Sequence, residues 1–161
     1  MKLYLIRHAT ATDTAPSDAE RRLTREGQAE ARVIGAALAR LGVKPDAICS
    51  SPLLRARETA AILAKELDGG EVEVVDELDN GPSTTALIRG LKPFAQAREL
   101  ILVGHMPSLA EHLAEFLGVK NTQGFPFGKG TAVCVELDLL REGAGQLRWW
   151  MRQKQLALLA D

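Results

Sequence analysis

Arg7 and His8 close the apolar run in YLIRHATA, Arg55 lies in SSPLLRARETA, and His105 follows Gly104 in LVGHMP. These residue types suit one reaction. A neutral imidazole is a nucleophile at neutral pH without an added base, and its covalent N–P bond splits one hard displacement into two easier ones. His8 is the candidate for that attack. Guanidinium groups match phosphate oxygens bidentately, so Arg7 and Arg55, on separate elements, would clamp a phosphoryl group and offset charge in the transition state. Arg55 falls in the first turn after Pro52, where free helix N–H groups favour an anion. His105 would donate to a nonbridging oxygen. The residues expected to be catalytic are therefore His8, Arg7, Arg55 and His105, of which Arg7, Arg55 and His105 also bind substrate.

For these side chains to meet, the elements carrying them must end at one rim. Short apolar runs at Leu3–Ile6, Ala47–Cys49, Val72–Val75 and Leu100–Val103 predict buried parallel strands. Between them, REGQAEARVIGAALARLG predicts a helix with Ala29, Val33, Ala37 and Leu41 on its apolar stripe, widened by Ile34 and Leu38. Thr24 is its expected N-cap and Gly42 its stop. SPLLRARETAAILAKELDGG predicts a second helix, capped by Ser51 ahead of a first-turn Pro52 and ended by Gly69–Gly70. Further helices are expected around Thr84–Leu91 and over PSLAEHLAEFLG. TAVCVELD and QLRWWMRQ, joined by REGAG, predict a C-terminal antiparallel hairpin. The alternation predicts an α/β three-layer sandwich, with a mostly parallel central sheet and helices on both faces, as one domain over residues 1–161. Ligands in such sheets sit at the carboxyl ends of the strands. Arg7–His8, Ser51 with Arg55, and His105 all fall there.

Composition narrows the alternatives. The 161 residues are 46% hydrophobic, enough for one core, and 20 Lys plus Arg against 21 Asp plus Glu give a net charge of −1. That balance argues against a nucleic-acid or membrane-surface binder and confines any anion site to a local cluster. The N-terminus is too short in apolar residues for a signal peptide and no stretch approaches a membrane span, so a cytoplasmic location is expected. Cys49 and Cys134 sit in apolar runs without CxxC spacing and read as reduced core residues. No metal is expected with three histidines and no HExxH pattern, and His112 reads as a boundary residue of its helix. FPFGKG lacks the phosphate-loop pattern. Arg21 and Arg22 precede a helix and read as solvated residues. Trp149 and Trp150, adjacent on a strand, must face opposite sides.

LIRHATA, SSPLLRARETA and LVGHMP together resemble the three signature segments of the histidine phosphatase superfamily, the phosphoglycerate-mutase-like or RHG group, with Ala9 where Gly most often stands. The similarity runs from Met1 to the strand near Asp138. Chain length and the segment DAERRLTREGQAEA, with Asp18, Arg21, Leu23, Thr24 and Gly27, resemble the SixA-type protein histidine phosphatases. The resemblance implies His8 as the phosphorylated nucleophile and Arg7, Arg55 and His105 as the rest of the phosphate pocket, with no cofactor. It implies a phosphatase acting on phosphohistidine of a phosphotransfer domain or phosphocarrier, and an Arg at the position of Arg21 or Arg22 that would reach the pocket mouth; a monomer is expected. A small-molecule phosphomonoesterase of the same superfamily and a non-catalytic phosphohistidine-binding module are the alternatives. Many members use an acid as proton donor, and Glu77 in DELDNG has that spacing to Gly81. An ordinary turn Glu flanked by Asp76 and Asp79 reads the same way, so the donor stays open.

Overall fold

The first strand, β1 (Lys2–Arg7), is apolar on both faces and runs through the middle of the sheet. The computed structural model describes all 161 residues. After β1 come α1 (Arg25–Arg40), β2 (Ala47–Ser50), α2 (Leu54–Leu67), β3 (Val72–Val74), α3 (Thr84–Gly90), β4 (Glu99–Gly104), α4 (Ser108–Leu117), β5 (Ala132–Leu137), β6 (Gly145–Met151) and α5 (Gln153–Ala160). The six strands form one sheet in the order β3-β2-β4-β1-β5-β6. The first four run parallel, and β1–β5 and β5–β6 pair antiparallel, the latter as the expected hairpin.

Successive side chains of a strand face opposite layers. Leu3 and Leu5 of β1 join Leu100 and Leu102 of β4 under α3 and α4, against Leu87, Leu109, Leu113 and Phe116. Tyr4 and Ile6 face the other way, with Ile101 and Val103, under α1, α2 and α5, against Ile34, Leu38, Leu63 and Leu156. This is the expected three-layer α/β sandwich. Because β4 inserts between β1 and β2, three carboxyl ends lie side by side. Arg7 is in register with Gly104, and Ser50 with Val103.

Several local expectations change. The strand β3 is an exposed edge, with Glu73 and Val74 facing solvent, because no element covers it beyond β2. On α1 the buried stripe is Gly27, Ala31, Ile34, Gly35, Ala37 and Leu38, while Ala29 and Leu41 are exposed. Glycine turns inward there because the helix is approached closely: a Cβ on Gly35 would lie 2.5 Å from that of Glu66 in α2. Thr24 does cap α1, its hydroxyl accepting the Gly27 N–H at 3.0 Å. Ser51 does not cap α2. Leu53 has an extended backbone, so the helix begins at Leu54. It ends at Leu67, with Asp68 in the left-handed region at φ 49°. The helix α5 was not expected at all. His112 is 1% exposed rather than a boundary residue, its Nδ1 2.8 Å from the Thr84 hydroxyl, tying α4 to α3. Cys49 and Cys134 are buried and unpaired. The tryptophans divide between the layers, Trp149 against Tyr4 and Trp150 against Phe125 and Phe127. No helix is long and apolar enough to cross a membrane.

Candidate active site

Two strand ends, those of β1 and β4, and the start of α2 bring the four expected residues together. Arg7, last in β1, is held by its Nη1 donating to the Phe127 carbonyl at 2.7 Å, while its Nε is buried without a partner. Burial, and then the nearby charge of Arg55, lower the Arg7 pKa. Two guanidinium groups close enough to feel each other's charge mark a place for an anion.

His8 follows in a buried turn, 6% exposed, its backbone N–H on the Gly104 carbonyl. Its Nδ1 lies 2.8 Å from the Ala9 carbonyl. A carbonyl only accepts, so Nδ1 carries the ring proton and Nε2 keeps its lone pair. Burial first, then the neighbouring His105 ring and the charges of Arg55 and Arg7, push its pKa down to about 3 against the opposing bond to Ala9. The ring is therefore neutral at physiological pH, and such an Nε2 can attack phosphorus.

His105, 2% exposed, stands just beyond β4 with its ring centroid 5.0 Å from that of His8. Burial and the charges of Arg55 and Arg7 lower its pKa to about 4, with Asp18 pulling the other way. Its Nε2 is 2.5 Å from the Ser51 hydroxyl, and its Nδ1 is buried without a partner. The same hydroxyl accepts the Leu53 N–H at 3.3 Å. If its proton is directed to Nε2, His105 carries its own proton on Nδ1 as a free donor. The turn after His105 is fixed by Asn80, whose side chain donates to the Met106 carbonyl at 2.9 Å and accepts the Ser108 N–H at 3.3 Å.

Arg55 enters from the first turn of α2 and is 6% exposed. Its Nη1 donates to the Asp18 carbonyl at 2.8 Å and its Nη2 to the Asp18 carboxylate at 3.0 Å. Thr59, one turn on, donates to the Arg55 carbonyl and accepts the Ala9 N–H, which locks α2 to the His8 turn. Arg21 reaches Asp18 rather than the pocket, donating to its other carboxylate oxygen at 3.1 Å, while its Nε donates to the Thr12 carbonyl at 2.6 Å. Glu77 is turned elsewhere. Its carboxylate lies over Gly90 of α3, 2.6 Å from where a Cβ there would stand, and hydrogen-bonds to none of the four. No group of three or more His, Cys, Asp or Glu has metal-holding geometry.

Ser51, Asp18 and the Phe127 carbonyl are the contacts not anticipated. Ser51 gave a sequence signal, but one that read as a helix cap. Asp18 and the backbone of FPFGKG act through tertiary contact, which no spacing reveals.

An α/β sheet whose strand ends gather two arginines and two neutral histidines is the frame of a phosphoryl-transfer enzyme. Residues 3–81 match the sequence profile of the histidine phosphatase superfamily (branch 1). An uncharacterized protein of Picosynechococcus is 38% identical over 115 residues, 69% of this chain and 70% of that one. The mitochondrial serine/threonine-protein phosphatase Pgam5 of Drosophila melanogaster is 35% identical over 74 residues, 46% of this chain and 26% of the relative. The structure of the protein histidine phosphatase SixA complexed with tungstate superposes with a TM-score of 0.88 at 25% identity, over 97% of this chain and 99% of that one. The chain belongs to the histidine phosphatase superfamily and is a phosphatase of that group.

Proposed function

We propose that this phosphatase removes phosphoryl groups from phosphohistidine on protein substrates through a phosphohistidine intermediate on His8. The Nε2 of His8 attacks phosphorus in line. Arg7, Arg55 and the Nδ1–H of His105 hold the equatorial oxygens and offset their charge, which grows toward the transition state. The P–N bond of the substrate breaks with its electron pair passing to the departing ring nitrogen. Water then attacks the His8 phosphoryl group, the pair returns to Nε2, and the water proton leaves with phosphate.

The observation that carries the substrate class is the lack of an acid beside the pocket. Glu77 lies over Gly90, and the one carboxylate bonded to a pocket arginine, Asp18, is kept ionised by Arg21 and Arg55 and so cannot donate a proton. An alkoxide needs such a proton to depart, whereas an imidazole already protonated on its distal nitrogen leaves as a neutral ring. The phosphorylated carrier or phosphotransfer domain is presented from the cytoplasm to a site that requires no metal, since the charges of Arg7 and Arg55 and the N–H of His105 do at phosphorus what an ion does elsewhere.

The test compares kcat/KM for a phosphorylated carrier domain, an aryl phosphate and a sugar phosphate, each with and without chelator. The carrier domain should be the best substrate, the aryl phosphate slow and the sugar phosphate scarcely turned over, with chelator changing none of them. A sugar phosphate as best substrate, with turnover lost in Glu77→Gln, would replace this reading with a small-molecule phosphomonoesterase.

A further inference from the structure

We infer that Asp18 is a specificity-determining residue, its carboxylate accepting the distal N–H of the departing imidazole; this rests on the phosphohistidine reading above. In the first step a phosphoryl group passes between two imidazoles, and each ring must keep a proton on the nitrogen that does not touch phosphorus. On the enzyme side that N–H is held by the Ala9 carbonyl, 2.8 Å from His8 Nδ1. The substrate ring needs an equivalent acceptor on the opposite side of the phosphorus.

In-line attack from a buried His8 sends the leaving group outward, past whatever stands at the pocket mouth. Asp18 stands there: its side chain is 64% exposed, whereas the Arg55 side chain it touches is 8% exposed. It is fixed in place. The Asp18 carbonyl accepts from Arg55 Nη1 at 2.8 Å, and its carboxylate oxygens accept from Arg55 Nη2 at 3.0 Å and Arg21 Nη1 at 3.1 Å. The segment is tied again at its far end, where Glu58 of α2 accepts the Leu23 N–H at 2.7 Å and the Arg22 Nε–H at 2.8 Å. A carboxylate offers about four lone-pair sites, so with two of them filled Asp18 retains acceptor capacity toward solvent. Its charge reaches the reacting centre, since it opposes the arginines at His105.

The chemistry balances without a further co-reactant. An N-phosphorylated imidazole protonated on its distal nitrogen is a cation at the ring, and an anionic acceptor stabilises that form. As His8 Nε2 bonds to phosphorus, the P–N electron pair neutralises the departing ring, which leaves with its distal proton. His8 becomes the phosphorylated cation in its place. A phenolate or alkoxide leaves with negative charge and would be repelled by the same carboxylate. Asp18 therefore favours one leaving group and disfavours the other.

The experiment measures kcat/KM for N-phosphoimidazole and for an aryl phosphate, together with inhibition by inorganic phosphate, in the wild type and in Asp18→Asn and Asp18→Ala. The ratio of phosphoimidazole to aryl phosphate should fall about tenfold or more in both variants, through loss on the first and gain on the second, as expected for one charge-assisted hydrogen bond. Phosphate inhibition should hold or tighten, because Arg55 keeps its bond to the residue-18 carbonyl and loses a competing anion. An equal fall on both substrates, with weaker phosphate inhibition, would overturn the inference and leave Asp18 as a support for Arg55. Failure of the parent reading is separate: it would appear as a wild-type preference for phosphoesters, before any substitution.

Discussion

His8 and His105 are both neutral imidazoles, yet one has its free lone pair available and the other presents a buried, unpaired nitrogen. A hydrogen bond to the other ring nitrogen makes that difference. With the Ala9 carbonyl fixing Nδ1–H on His8, brief exposure to a phosphorylated substrate should leave an acid-labile, base-stable phosphoryl group on the protein, absent along with turnover in His8→Ala. Full activity of His8→Ala would remove the nucleophile from this scheme. Arg7→Ala and Arg55→Ala should each lower kcat/KM by about a hundredfold or more, the scale of losing one group that stabilises transition-state charge. Ser51 acts through His105. With the hydroxyl replaced, both tautomers of His105 become populated, so Ser51→Ala should lower kcat severalfold and change the nitrogen chemical shifts of that ring, while Ser51→Thr restores both. Unchanged shifts would show that Ser51 does not set the tautomer. The four central side chains were legible in the sequence because their chemistry resides in their type. Ser51 and Asp18 were not, since a hydroxyl or carboxylate on a surface turn has many uses and only the folded partner selects one.

Among the elements, legibility followed how much of the pattern each segment carries by itself. Runs such as LYLI and LILV are apolar on both faces and can only be buried strands, and α1 announces its start with Thr24. The segment QKQLALLA lacks that self-sufficiency. It starts at the last residue of the expected strand QLRWWMRQ, and α5 forms there because Leu156 joins the core layer that holds Ile34 and Leu38 of α1. The Ser51–Pro52 pair read as a cap because the dipeptide is a common helix start, but its hydroxyl is used by His105 and the helix begins only at Leu54. Gly27 shows the reverse case, a small residue whose reason is invisible in sequence. A Cβ there would lie 1.9 Å from the Thr10 carbonyl oxygen, in the turn two residues beyond His8. Gly27→Ala must displace α1 or that turn, so it should cost about 1–3 kcal/mol in urea unfolding and lower kcat as well. Thr24→Ala removes only the cap bond and should cost about 1 kcal/mol with the active-site turn in place. Equal stability of Gly27→Ala and wild type would mean that the contact relaxes without consequence.

At the scale of the whole molecule, burying three histidines, two of them in the active site, has a thermodynamic cost at low pH. His8, His105 and His112 are each 6% exposed or less, and burial lowers their pKa values from 6.5 to about 3, about 4 and about 4. Above the unfolded value of 6.5 all three are neutral in both states, and their titration takes nothing from stability. As pH falls below it, the unfolded chain binds three protons that the folded chain refuses. Stability is therefore lost progressively as pH approaches the folded values, with a slope on the order of 4 kcal/mol per pH unit at its steepest. Over that range His8 stays neutral in the folded protein and keeps its nucleophilic lone pair. The acid limb of kcat/KM on a pre-phosphorylated substrate should therefore coincide with loss of the folded circular-dichroism signal. Proton uptake on urea unfolding near pH ~5 should be about three per chain from these groups, beyond the carboxylate contribution, and should fall by one in His8→Ala. If uptake is the same in the variant, or if activity fails more than a pH unit above the unfolding transition, His8 takes up a proton in the folded state and its burial does not keep the nucleophile neutral.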